Sequence, residues 1–137
     1  MSLTLKQVFD KVNSQEDPSV GYVYDAPIHY VVLNNEDNPV NMTSLNKMIA
    51  AYEKVEQSKD HGVLITIGTS EKFFSTGMDL NYWMENPTLN PMTSGVRLQH
   101  LFQKILSFEM PSMAIINGHA YGAGCVISLA HDFRIMK

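Results

Sequence analysis

The stretch Pro111-Ser-Met-Ala-Ile-Ile-Asn-Gly-His-Ala-Tyr-Gly-Ala-Gly-Cys-Val-Ile-Ser-Leu-Ala-His-Asp132 governs how the rest of the chain is read. Met113 to Ile116 is a short apolar run suited to a buried strand, and Asn117-Gly118 breaks it. Gly122, Ala123 and Gly124 then lead into the apolar segment Cys125 to Ala130, which predicts a short helix. A strand that passes through a glycine turn into a helix leaves the first N–H groups of that helix unpaired, at the positive end of its dipole. Small residues there let an oxygen-bearing ligand approach the main chain closely. The same Gly-x-x-x-Gly-x-Gly spacing also serves close helix–sheet packing, so spacing alone does not define a site. It is not the dinucleotide fingerprint, no Gly-Lys-Ser/Thr completes a phosphate loop, and no Gly-x-Ser-x-Gly elbow is present.

Length and composition bound the possibilities. The 137 residues suit one domain, and 45% of them are hydrophobic, which points to a globular class. A formal charge of −4 argues against nucleic acid or an anionic membrane surface as partner. The lone cysteine, Cys125, excludes an internal disulfide framework and fits a reducing compartment. There is no apolar run of transmembrane length, and Met-Ser-Leu-Thr-Leu-Lys is not a secretory pattern. An intracellular protein is therefore expected, cytoplasmic, or peroxisomal or mitochondrial if eukaryotic. The ending Arg-Ile-Met-Lys is not a Ser-Lys-Leu peroxisomal address.

Along the chain, Leu5, Val8, Phe9 and Val12 recur at helical spacing and predict an amphipathic helix within an extension over 1–19. Val20 to Asp25 and Ile28 to Leu33 read as strands separated by Ala26-Pro27. Asn34 to Asn41 is loop chemistry, with Asn41 or Thr43 as cap of a helix whose inner face is Leu45, Met48, Ile49, Tyr52 and Val55. Val63 to Ile67 suits a strand buried on both faces. Phe73 to Leu80 follows, then a polar loop from Met84 to Met92 in which Asn90-Pro91 is expected to cap a helix carrying Leu98, Leu101, Phe102, Ile105 and Phe108. Asp132 to Met136 reads as a last strand. Strand and helix alternate, so an α/β fold with parallel pairing and right-handed crossovers is expected. A strand with no helix behind it would leave an apolar edge or face uncovered, which suggests the amino-terminal part of a longer fold or a covering partner.

Phe74-Ser-Thr-Gly-Met-Asp-Leu80 also follows a buried strand and precedes a helix. The N–H of Met78, after Gly77, and that of Ala123, after Gly122, are candidate donors. Two donors converging on one carbonyl oxygen make an oxyanion hole, which stabilises an enolate or a tetrahedral oxyanion by preorganised dipoles. Asp79 is placed to favour the helix start.

Leu64-Ile-Thr-Ile-Gly-Thr-Ser-Glu-Lys-Phe-Phe-Ser-Thr-Gly-Met-Asp-Leu80, followed by Pro111 to Cys125, resembles the enoyl-CoA hydratase/isomerase (crotonase) superfamily over residues 20–137, as the amino-terminal part of such a domain. The resemblance implies a β-β-α spiral fold and an acyl-CoA thioester substrate. It implies a thioester oxygen between the amides of Met78 and Ala123, and Ser75, Thr76, Gly77 and Asp79 lining the CoA side with Gly122 at the second turn. No cofactor is implied beyond coenzyme A, which is part of the substrate, and no metal; homo-oligomers, trimers by resemblance, are. Hydratases of the family carry a glutamate where this chain has Val126, and an apolar side chain cannot activate water. The run from His119 to Asp132 is similar instead to the 3,2-enoyl-CoA isomerase branch, whose single carboxylate would lie beyond Lys137. Many members have a basic residue in the loop occupied here by Asn34-Asn35-Glu36-Asp37, which offers no cation to the CoA phosphates. A non-catalytic CoA-thioester binder and a thioester hydrolase are the alternatives.

Other side chains have simpler expectations. Cys125 reads as a small buried filler, although a helix start would stabilise its thiolate. His119 and His131 have no matched third ligand for a metal, and His131-Asp132 is expected to terminate a helix by bonding its last carbonyls. Glu71, like Asp79, reads as solvent-facing or as a cap. The Phe73-Phe74 pair serves as core or as an acyl-binding wall, and Met78, Met84 and Met92 as core or as flexible acyl lining.

Overall fold

The computed structural model describes residues 2–89 and 91–137; the Asn90 cap lies outside the described residues. The first helix, α1 (Leu5–Asn13), begins with a capping box in which the Thr4 hydroxyl accepts from the Gln7 amide at 3.3 Å and the Gln7 side chain accepts from the Thr4 amide at 2.9 Å. Val8 and Val12 are its buried positions, while Leu5 at the start of the apolar stripe is exposed. The extension is therefore packed on the sheet, with Val12 against Gly21.

Strands β1 (Val20–Asp25) and β2 (Ile28–Leu33) form an antiparallel hairpin through a cis Ala26–Pro27 peptide. After the two-residue β3 (Pro39–Val40), helix α2 (Met42–Gln57) starts on Asn41, whose side chain accepts from the Ser44 amide at 3.0 Å. β4 (Val63–Gly68) follows, then β5 (Phe73–Ser75), β6 (Gly77–Met78) and the short helix α3 (Leu80–Glu85). Helix α4 (Pro91–Leu106) has proline at its first position, as expected. The chain closes with β7 (Ser112–Ile116), β8 (His119–Ala120), α5 (Ala123–Leu129) and β9 (Phe133–Met136).

The main sheet has the order β1-β2-β4-β7-β9, parallel from β2 onward, with Val31 beside Thr66 and Ile65 beside Met113. Strand alternation divides the interior. Val31, Leu33, Leu64 and Ala114 face one cluster with Leu45, Ile49, Tyr52, Val55, Leu101 and Ile127. Tyr30, Val32 and Ile67 face a smaller one with Val8 and Val12. β4 is thus covered on both sides, as its apolar run requires. On β9, Phe133, Ile135 and Met136 are exposed, in line with the uncovered edge expected from the sequence.

Four elements were not foreseen: β3 pairs with β6, and β5 with β8, in two small parallel sheets. Runs of two or three residues carry no periodicity. They lie where the chain leaves the main strands, with the Thr69 amide bonded to the Leu33 carbonyl at 2.9 Å and Asn117 Nδ2 to the carbonyls of Gly68 and Ser70 at 2.8 and 2.7 Å.

His131 ends α5 as expected, its Nδ1 bonded to the Ile127 carbonyl at 2.9 Å, and its Nε2 lies 2.8 Å from Thr66 Oγ1 in the core. Burial pushes its pKa down from 6.5 to about 4. The unfolded chain then binds the extra proton between those two values, so stability from this group is present above pH 6.5 and lost as pH falls toward 4. The loss should approach about 3 kcal/mol. Comparing acid-unfolding curves of wild type and His131→Gln should show the variant with a flatter decline from pH 6.5 to 4, the carboxylates cancelling in the difference.

Candidate active site

The first turn is made by Ser75 to Asp79. Ser75 is buried, and its hydroxyl donates to the Asn38 carbonyl at 2.7 Å while accepting from the Gly77 amide at 3.2 Å. The Thr76 amide donates to the Asp37 carbonyl at 3.0 Å and that of Asp79 to the Val40 carbonyl at 2.9 Å. In the β3–β6 register Val40 is opposite Met78, and the bond from Asp79 shows that the ladder runs through the peptide groups of Val40. The amide of Met78 therefore takes no part in it, and has no acceptor among the described residues. Gly77 is held at φ +82, a conformation suited to glycine.

Asp79 caps α3, accepting from the Tyr82 amide at 3.0 Å, and its second oxygen accepts from Asn41 Nδ2 at 3.0 Å. Both carboxylate oxygens are thus engaged in holding the turn. In the sequence Asn38 reads only as a loop residue, and Asn41 as a loop residue or the cap of the next helix. Asn38, at φ +45, donates to the Phe74 carbonyl at 3.1 Å, and its only sequence signal is the tolerance of asparagine for left-handed backbone. Nothing in the sequence announces a partner 36 residues away.

The second turn, Tyr121 to Gly124, lies directly against the first. The Tyr121 amide donates to the Ser75 carbonyl at 3.0 Å. A methyl group added to Gly77 would stand 2.6 Å from the Tyr121 carbonyl oxygen and 3.3 Å from the Ala123 nitrogen. Gly122 adopts φ +47, ψ −117 and caps α5 without a side-chain bond. Ala123, the first residue of α5, is buried, and its amide has no acceptor among the described residues. Each of the two turns in contact thus carries an amide with no acceptor among the described residues.

Met78 also borders a cleft of about 460 Å³ with Trp83, Pro87, Leu89, Ser94, Gly95 and Leu98. Phe74 is core, whereas Phe73 packs at a tilt against His119 and Tyr121 with the Lys72 ammonium 4.9 Å above its ring. Glu71 is exposed. Cys125 is exposed and not the buried filler expected, because α5 turns Ala123, Gly124, Ile127 and Ser128 inward and Cys125, Val126 and Leu129 outward. Among the described residues no cluster of three His, Cys, Asp or Glu could hold a metal ion.

Residues 24–137 match the family described as Enoyl-CoA hydratase/isomerase. The chain belongs to this family. It is 30% identical over 102 residues to the peroxisomal enoyl-CoA delta isomerase 1 of Arabidopsis thaliana, covering 74% of this chain and 42% of that protein. It is also 30% identical over 98 residues to the short-chain-enoyl-CoA hydratase of Clostridium acetobutylicum, covering 72% and 38%. The crystal structure of an enoyl-CoA hydratase from Bacillus anthracis superimposes with a TM-score of 0.75 at 26% identity, covering 86% of this chain and 47% of that one. The chain thus spans less than half the length of these relatives. The fold is crotonase-like, and the family's members include both isomerases and hydratases. No helix among the described residues is long and apolar enough to cross a membrane.

The contact between the two turns leaves no space for a side chain at Gly77. Gly77→Ala should lower stability by at least about 1 kcal/mol, from positive φ and the clash with Tyr121. Gly95→Ala, in α4 with open space around it, should raise stability by up to about 1 kcal/mol. Chemical denaturation of both variants checks the pair.

Proposed function

We propose that this chain carries the thioester-binding part of an acyl-CoA isomerase that moves a double bond from the 3 to the 2 position of an enoyl-CoA. The amides of Met78 and Ala123 hold the thioester oxygen, and the main chain from Ser75 to Asp79, with Gly122, lines the coenzyme A side. A carboxylate from beyond Lys137 removes a proton next to the carbonyl, the negative charge moves onto the oxygen between the two amides, and the proton returns two carbons away. The observation that carries this reading is the seating of Gly77 beside the Ala123 nitrogen with both neighbouring amides unpaired.

Isomerisation is favoured over hydration by Val126. It stands outward on α5 and has no proton acceptor with which to activate water. The apolar cleft beside Met78 suits an acyl chain, and we assign the protein to an intracellular compartment as a homo-oligomer, a trimer by family resemblance. No cofactor beyond the CoA of the substrate enters this chemistry.

In the intact protein, Ala123→Pro removes one donor at a helix position where proline is tolerated, and Met78→Pro removes the other. Each should lower turnover of a trans-3-enoyl-CoA about a hundredfold or more. Unchanged turnover would defeat the assignment. Parallel assays of thiol release and hydration identify a hydrolase or a hydratase if either outpaces isomerisation, and binding without any turnover identifies a non-catalytic thioester binder.

A further inference from the structure

The far end of α5 rests on a buried chain of hydroxyl and imidazole groups. Tyr52 Oη is 2.8 Å from Thr66 Oγ1, Thr66 Oγ1 is 2.8 Å from His131 Nε2, and His131 Nδ1 is 2.9 Å from the Ile127 carbonyl oxygen. The three side chains are at most 3% exposed. With the imidazole neutral, one arrangement of protons serves every contact. A carbonyl only accepts, so Nδ1 carries the hydrogen and Nε2 accepts. The Thr66 hydroxyl must then donate to Nε2, and the Tyr52 hydroxyl to Thr66. The chain runs in one direction, from α2 through the central strand β4 into the last turn of α5.

The near end of α5 is held differently. A methyl group on Gly124 would stand 2.5 Å from Ser75 Cβ and 2.9 Å from its carbonyl oxygen, so the helix sits directly on the first turn. Its N-cap, Gly122, contributes no side-chain bond. A helix of seven residues is about 10 Å long. Contact with Ser75 fixes where its first turn sits, while burial of Ile127 and Ala130 in the core, the Arg134 bond to the Leu129 carbonyl and the His131 bond to the Ile127 carbonyl together hold its far turn and so its tilt. Tilt sets the direction in which the Ala123 N–H points.

We infer that Tyr52, Thr66 and His131 are positioning residues for the Ala123 amide, acting through the α5 backbone to aim that donor at the substrate oxygen. This rests on the amide pair proposed above. None of the three touches substrate. Displacements well under 1 Å at a preorganised donor lower its effect on a reacting group, so loss of the clamp weakens polarisation of the carbonyl more than it weakens binding.

The test uses the intact protein, saturated with butyryl-CoA labelled with ¹³C at the thioester carbonyl, and infrared difference spectroscopy of the bound carbonyl. Wild type should shift the stretch to lower frequency. Thr66→Val keeps the side-chain shape but removes the hydroxyl, and should lose at least about half of that shift while butyryl-CoA still binds. Thr66→Ser should keep the shift. On a trans-3-enoyl-CoA, Thr66→Val should lower kcat about tenfold with KM changed by less than about twofold, and Thr66→Ser should restore it. An unchanged shift in Thr66→Val overturns the inference while leaving the amide pair standing. A bound carbonyl with no shift in wild type defeats the amide pair itself, and the inference with it. If Thr66→Val does not fold, His131→Leu, which removes the link to the Ile127 carbonyl, replaces it, and an unchanged shift there overturns the inference equally.

Discussion

The structure depends on the approach of one backbone turn to another at Gly77. With 2.6 Å between the Tyr121 carbonyl oxygen and the point where a Cβ would lie, no other residue fits without movement of main chain. The approach joins the strand ends of β4 and β7 through their following loops. It also sets the amides of Met78 and Ala123 on neighbouring surfaces. Such contacts are made of glycine because a side chain on either turn would hold the two peptide groups apart.

Polar side chains around the turns serve to hold them. Ser75, Asp79, Asn38 and Asn41 spend their oxygens and nitrogens on backbone groups or on each other. Each bond satisfies a group that would otherwise be buried and unpaired, at a cost comparable to a lost hydrogen bond. The amides of Met78 and Ala123 are left without an acceptor among the described residues, as is that of Gly122, while those of Thr76, Gly77, Asp79, Tyr121 and Gly124 are used. Unpaired backbone donors of this kind are where an outside acceptor gains most.

Membership of the enoyl-CoA hydratase/isomerase family leaves the reaction open, since an isomerase and a hydratase match at the same identity of 30%. A shared fold does not fix which side chains move protons. Val126 bears on that choice because its position on α5 is outward and its side chain has no ionisable group.

The sequence by itself determined the alternation of strands and helices and the inner faces of α2 and α4, and narrowed the cap of α2 to Asn41 or Thr43, because periodicity and capping are local properties. It also pointed to Gly77 and Gly122, since residues that must leave the ordinary backbone regions are marked by their type. What only the tertiary structure decided was contact between distant segments. The pairing of β3 with β6 and β5 with β8, the partners of Asn38, the outward turn of Cys125 and the Tyr52–Thr66–His131 chain all join residues far apart in sequence or depend on which helix face meets the sheet. Short strands have no period to read, and a hydrogen bond between side chains 65 residues apart leaves no trace in either local sequence. Its existence follows from how the sheet stacks, which is a property of the whole chain.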